Sequence, residues 1–133
     1  MSLPIYHLLG DAPKPVAPYS HAVEVDGWLF LAGQIASDLA FEPDSLPDGI
    51  EAQTHKVMDN LSRVLAGLGL GLGLEHCIAA RVFLTHFDED YRRMDAVYQT
   101  YFDADKRPAR TTVGVTALAS RARVEIDVIA KRP

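Results

Sequence analysis

The chain has 133 residues, 48% hydrophobic and 23% charged, a mixture that excludes disordered and fibrous classes and fits one domain over residues 1–133. A lone cysteine, Cys77, excludes an intramolecular disulfide framework, and no apolar run nears the roughly 20 residues that cross a bilayer. The net charge of −5 weighs against a nucleic-acid partner, and the start, MSLPIYHLLGDAPKP, lacks a basic leader region, so a cytoplasmic protein with no membrane partner is expected.

Residues 12–18, APKPVAP, cannot propagate a helix and read as an extended lead-in. A hairpin follows over 21–32. Val23 and Val25 alternate with polar residues, Asp26-Gly27 is a favoured two-residue turn, and Trp28 to Leu31 are strand formers. Residues 36–47 form a loop. Asp48 with Glu51 predicts a capping box opening a helix that ends near Gly67 or Gly69. Its Ile50, Val57, Met58, Leu61, Val64, Leu65 and Leu68 recur at three- and four-residue spacing, which gives it one core face. The run GLGLGLGL (67–74) lacks the Lys-Ser/Thr of a phosphate loop and follows a helix, so it reads as a connection.

Residues 78–85 read as a buried strand with Arg81 as its one charge. Asp88 is a candidate cap for a second helix, whose apolar stripe is Tyr91, Met94, Val97, Tyr98, Tyr101 and Phe102. Strands are predicted over 111–117 and 122–130; in the second, Val124, Ile126 and Val128 alternate with Arg123, Glu125 and Asp127. The order β-β-α-β-α-β-β predicts an α+β fold with both helices on one face of a single sheet.

A turn at 118–121 would pair the last two strands antiparallel, with Val113 opposite Ile126 and Val115 opposite Val124 on the helix-covered face. The reverse face would then collect Arg110, Thr112 and Gly114 beside Arg123, Glu125 and Asp127. Glu125 would lie across from Gly114, and Arg110 roughly 13 Å farther along, too distant for a simple salt bridge. Such a face is either solvated or covered by another subunit. Trp28, Phe30 and Phe83 favour the second, because strands with large apolar residues of both parities suggest two covered faces.

The five histidines, His7, His21, His55, His76 and His86, show no ligand spacing, and no metal is expected. Cys77 reads as a small buried hydrophobe, and no nucleophile elbow is present. The segments PARTTVGV (108–115) and VEIDVIAKRP (124–133) carry a more specific pattern. Together with APYSHAV (17–23), LAGQIASD (31–38), EAQTHKVMDNLSRVL (51–65) and RVFLTHFDEDYRRMDAVYQTYF (81–102), they resemble the RidA/YjgF family of enamine/imine deaminases along nearly the whole chain.

That resemblance implies a chorismate-mutase-like α+β domain, a homotrimer with sheets facing inward, and small-molecule sites in the clefts between subunits. It implies no cofactor. Carried over by position, Arg110 corresponds to the arginine that binds the substrate carboxylate, and Glu125 to the glutamate that holds the hydrolytic water. Tyr19 corresponds to a tyrosine at the cleft mouth, Gly33 to the strand end lining it, and Thr112 to a backbone contact near the substrate nitrogen. Four positions depart from the commonest pattern: Thr112 stands where many members have cysteine, Asp95 where many have asparagine, Ala32 where serine is frequent and His21 where glutamine is common. The implied activity is hydrolytic deamination of 2-imino and enamine acids. Two alternatives are a non-catalytic 2-keto-acid sensor using the same cleft, and an endoribonuclease or translation inhibitor, which the acidic charge disfavours.

Overall fold

The computed structural model describes residues 3–42 and 44–133. Eight main elements follow in order: β1 (Ile5–His7), β2 (Ala22–Val25), β3 (Trp28–Leu31), α1 (Ile50–Leu68), β4 (Cys77–Leu84), α2 (Phe87–Tyr98), β5 (Ala109–Gly114) and β6 (Val124–Lys131). The strands form one mixed sheet in the order β1-β2-β3-β6-β4-β5. The α+β expectation holds, with β1 as an additional edge strand. Among the described residues no helix is long and apolar enough to cross a membrane.

The hairpin forms as its turn dipeptide requires. Asp26 and Gly27 both take positive φ, 52° and 80°, the conformation of a type I′ turn whose twist matches the flanking strands. Leu29 and Leu31 then point into the core, while Trp28 and Phe30 stay exposed on the opposite face. In β6 the alternation is complete: Val124, Ile126, Val128 and Ala130 are buried, and Glu125, Asp127, Ile129 and Lys131 face the other way. Helix α1 lays Val57, Met58, Leu61, Val64 and Leu65 on the buried side of the sheet, each fully removed from solvent.

The last two strands correct the sequence expectation. β5 is not the hairpin partner of β6. It runs parallel to β4, with Arg110 level with Ala80 and Val113 level with Phe83, after a crossover through α2. β6 is antiparallel to β4 on one side and to β3 on the other. Glu125 therefore lies across from Phe83 rather than Gly114, and Ile126 from Val82 rather than Val113. The parity of β5 inverts with it. Val113 is exposed, and Arg110 and Thr112 share the side of buried Ala80 and Val128.

Both helix starts also differ from expectation. The residue before α1 is Gly49, with no side-chain cap, and the residue before α2 is His86. Asp88 lies inside the first turn of α2, where a carboxylate still favours the positive end of the helix dipole. Buried polar groups tie the helices to the sheet. Asp90, fully buried, accepts two hydrogen bonds from Arg123, Nε at 2.7 Å and Nη2 at 3.0 Å. The Arg123 backbone N–H donates to Gln53 Oε1 at 2.9 Å, and Gln53 in turn donates to the Pro47 carbonyl.

At the far end, Arg132 clamps Glu24 through Nε and Nη2 and also donates to the Leu68 carbonyl, closing the last turn of α1. His21 is buried, with Nδ1 accepting the Leu9 N–H and Nε2 donating to the Pro13 carbonyl. A glutamine side chain would offer the same donor–acceptor pair.

Removing Arg123 leaves the Asp90 carboxylate buried without its main partner. Arg123→Ala is expected to cost about 3 kcal/mol, the low end for a broken buried pair, because Arg93 still approaches that carboxylate at 3.6 Å. Thermal denaturation should show Tm falling by about 10 °C. The Arg132 hydrogen bonds, aided by His7 and opposed by burial, hold the Glu24 carboxyl down at about 2 from 4.5. A depressed folded-state value stabilises the fold fully above the ordinary carboxylate range and loses that contribution as pH falls toward about 2. The stability gap between wild type and Glu24→Gln in acid denaturation should therefore be constant near neutrality and close in that acid window.

Candidate functional site

Glu125 projects from β6 onto the sheet face that no helix covers. The chain continues past β3 so that Gln34 exchanges two backbone hydrogen bonds with Ile126, at 2.9 and 3.1 Å. Asn60 on α1 holds this continuation from behind, its Nδ2 donating to the Ile35 and Ser37 carbonyls. Gly33 is thereby fixed against the Glu125 side chain. A Cβ at Gly33 would overlap the carboxylate oxygen and lie 3.0 Å from Cδ and 3.1 Å from Cγ, so only glycine leaves room for the carboxyl to lie there.

Burial raises the Glu125 pKa, and the neighbouring Asp127 charge adds to the rise. The nearby cation on that face is already engaged. Arg81 grips Asp127 with Nε at 3.0 Å and Nη2 at 2.6 Å. Among the described residues no side chain pairs with Glu125 itself. The result is a half-buried carboxyl group of raised pKa with no ion-pair partner among the described residues.

Around it the face is largely apolar, with Trp28, Phe30 and Val113 exposed. A cavity of about 450 Å³ opens where small side chains, Ala79, Ala109 and Thr111, lie among Phe30, Arg81 and Ile129.

Arg110 lies on the opposite side of the sheet. Its Nη1 donates to Asp95 Oδ1 at 2.7 Å, and its Nη2 donates to the Tyr91 hydroxyl at 3.0 Å. The guanidinium carbon stands 4.8 Å from the Tyr98 ring centroid and 5.8 Å from that of Tyr91. Residues 91, 95 and 98 share one face of α2, since i, i+4 and i+7 positions align on a helix. Burial works against the Arg110 charge, but the hydrogen bonds and charge interactions with Asp95 and Tyr91 together outweigh it and raise its pKa. The cation is held in shape by two aromatic rings and a carboxylate.

Within one chain, then, Glu125 and Gly33 come together and Arg110 does not join them. Thr112 follows Arg110 on β5 with a buried hydroxyl that has no partner, as does Tyr98. Because β5 is the outer strand, half of its backbone groups have no neighbouring strand to bond. Tyr19 is exposed, its hydroxyl accepting the Val16 N–H at 3.3 Å within its own loop. Cys77 is buried, which together with Glu75 pushes its thiol up to about 12, far from a nucleophile at neutral pH. Among the described residues no group of three or more His, Cys, Asp or Glu is arranged to hold a metal ion.

The clasp around Arg110 was hidden in the sequence inside an apolar stripe. Tyr91 and Tyr98 read there as core residues, and only their spacing with Asp95 links them to one charge.

Comparison with known proteins agrees with this architecture. The sequence model of the endoribonuclease L-PSP family matches residues 9–132. A RutC family protein from Aquifex aeolicus is 37% identical over 120 residues, covering 90% of this chain and 92% of the relative. Protein DfrA of Myxococcus xanthus is 43% identical over 122 residues, 90% of this chain and 89% of that protein. The crystal structure of RidA from an Antarctic Psychrobacter superposes with a TM-score of 0.86 at 28% identity, covering 96% of this chain and 99% of that one. The chain belongs to the endoribonuclease L-PSP family, in which the RidA/YjgF and RutC names also fall.

Gly33 takes a backbone conformation open to other residues, so Gly33→Ala tests the close approach alone. The added methyl should push the Glu125 carboxyl toward solvent. Carbon-13 NMR titration is expected to show the Glu125 pKa moving down toward its ordinary range, with little change in Tm.

Proposed function

We propose that this protein hydrolyses short 2-imino and 2-enamino acids to 2-keto acids and ammonia, at sites formed between copies of the chain in a homotrimer whose sheets face inward. The observation that carries the reading is the Glu125 environment: a half-buried carboxyl of raised pKa, without an ion-pair partner among the described residues, lying against a glycine that gives it room. Family membership supports the same chemistry, and the relatives' names, mostly RutC, leave the individual reaction open to assay.

In the proposed reaction Arg110 binds the substrate carboxylate, which a planar guanidinium fork recognises with two parallel hydrogen bonds. This orients the C=N carbon toward a water held by Glu125. Glu125 accepts a proton as the water oxygen bonds to that carbon, giving a carbinolamine. Glu125 then returns that proton to nitrogen and takes the carbinolamine O–H proton as the C–N bond breaks, so that ammonia leaves as the carbonyl forms. A protonated iminium is electrophilic by itself, so the protein's part is orientation and proton transfer. Tyr19 would stand at the mouth of the site and the Thr112 backbone near the nitrogen.

Arg110 and Glu125 lie on opposite sides of one sheet, so a shared substrate needs these groups from two chains. The exposed Trp28, Phe30 and Val113 give the open face an apolar surface suited to such packing. Coupling the protein to a threonine dehydratase and trapping 2-iminobutanoate over time tests the proposal. Wild type should accelerate decay, while Arg110→Ala and Glu125→Gln should each lose about 10²-fold or more. Unchanged decay with wild type, or variants as fast as wild type, would overturn it. Binding of 2-oxobutanoate without acceleration would mark a sensor instead.

A further inference from the structure

We propose that Asp95 is a specificity-determining residue of the Arg110 site: its carboxylate biases the site toward zwitterionic iminium acids and against the anionic keto acids they become. The inference rests on the reading of Arg110 as the carboxylate-binding group and deepens it.

Asp95 and Tyr91 each take one terminal nitrogen of the guanidinium. That leaves Nε–H and the remaining Nη hydrogens for a ligand, so an incoming carboxylate can bind without evicting Asp95. Positioning alone does not explain a charge here. An asparagine carbonyl would accept the same hydrogen bond from Nη1 in nearly the same shape. What aspartate adds is one negative charge, 2.7 Å from the Arg110 nitrogen and 41% exposed in its side chain. Arg110 itself is 18% exposed and flanked by two aromatic rings, which limits solvent screening.

The charge count follows. With Asp95 the cluster is neutral; with asparagine it would carry +1. A protonated imino acid is a zwitterion of net charge zero, and its cationic nitrogen is attracted by Asp95 while its carboxylate is held by Arg110. The keto acid retains the carboxylate and has lost the cation, so it meets Asp95 as a like charge without compensation. The same residue that orients the arginine therefore favours substrate retention and product departure.

Calorimetric titration of the full-length protein with two stable probes tests this: 2-oxobutanoate for the monoanion and 2-aminobutanoate for the zwitterion. Wild type should favour the zwitterion several-fold. Asp95→Asn should tighten 2-oxobutanoate about tenfold, as loss of one like charge a few ångströms away allows, and change 2-aminobutanoate little or weaken it. Asp95→Glu should restore the wild-type order, and high salt should shrink the difference between variants. A wild type that prefers 2-oxobutanoate, or an Asp95→Asn variant of unchanged Tm that binds both probes as wild type does, overturns the inference. Arg110→Ala separates the two levels. If it leaves 2-oxobutanoate binding intact, or if neither probe binds wild type, the carboxylate-binding role of Arg110 fails and this inference with it. If it abolishes binding while Asp95→Asn changes nothing, only the role of Asp95 fails.

Discussion

Strand β6 lies between β3 and β4, and its side chains alternate without a break. One set, Val124, Ile126, Val128 and Ala130, meets α1 and closes the core. The other set is displayed on the open face, and it includes Glu125. Because the side-chain period of a strand is two, a slip of one residue would bury the Glu125 and Asp127 carboxylates and expose all four of those apolar groups. The core thus enforces the register, and the register fixes where Glu125 stands. Gly33 depends on the same constraint, since the isolated Gln34–Ile126 bridge that aligns it is made to the same strand.

Elements with strong local chemistry were legible from residues alone. Asp26-Gly27 dictated its hairpin, the three- and four-residue spacing of α1 gave its buried face, and β6 announced its parity. β5 did not, for a physical reason. It is an edge strand, half open on both sides, so no hydrophobic set distinguishes its two faces. Its nearest strand in sequence, β6, made a hairpin look natural. Residues 115–123 instead form a connection with Ser120 and Arg121 at positive φ, and α2 supplies the crossover that makes β5 parallel to β4. The mistaken parity moved Arg110 to the wrong side of the sheet. The family pattern named the arginine and the glutamate as a pair, but only the register reveals that a sheet separates them.

That separation has an electrostatic consequence. An arginine and a glutamate facing each other in one partly buried pocket would pair, lowering the carboxyl pKa and occupying the guanidinium fork. Arg81 and Asp127 do this on the open face, where Arg81 takes both carboxylate oxygens of Asp127. Glu125, two residues away on the same strand, escapes that fate and feels Asp127 only as a like charge. Burial and repulsion therefore act in the same direction on it, toward a higher pKa.

Arg110 follows the opposite course, with partners that hold it without filling it. Two tyrosine rings and one carboxylate restrict the guanidinium's motion, so less conformational entropy remains to be lost when a ligand binds. The orphaned hydroxyls of Tyr98 and Thr112 beside it are costly in a closed interior. An edge strand that meets another chain or a ligand gives such groups a route to satisfaction that a freestanding chain lacks. On the proposed reading, one sheet thus keeps the anion-binding cation and the proton-exchanging acid from neutralising each other, and association of chains brings them to a common substrate. On that same reading the apolar open face, with Trp28, Phe30 and Val113 exposed, is the surface through which chains would associate.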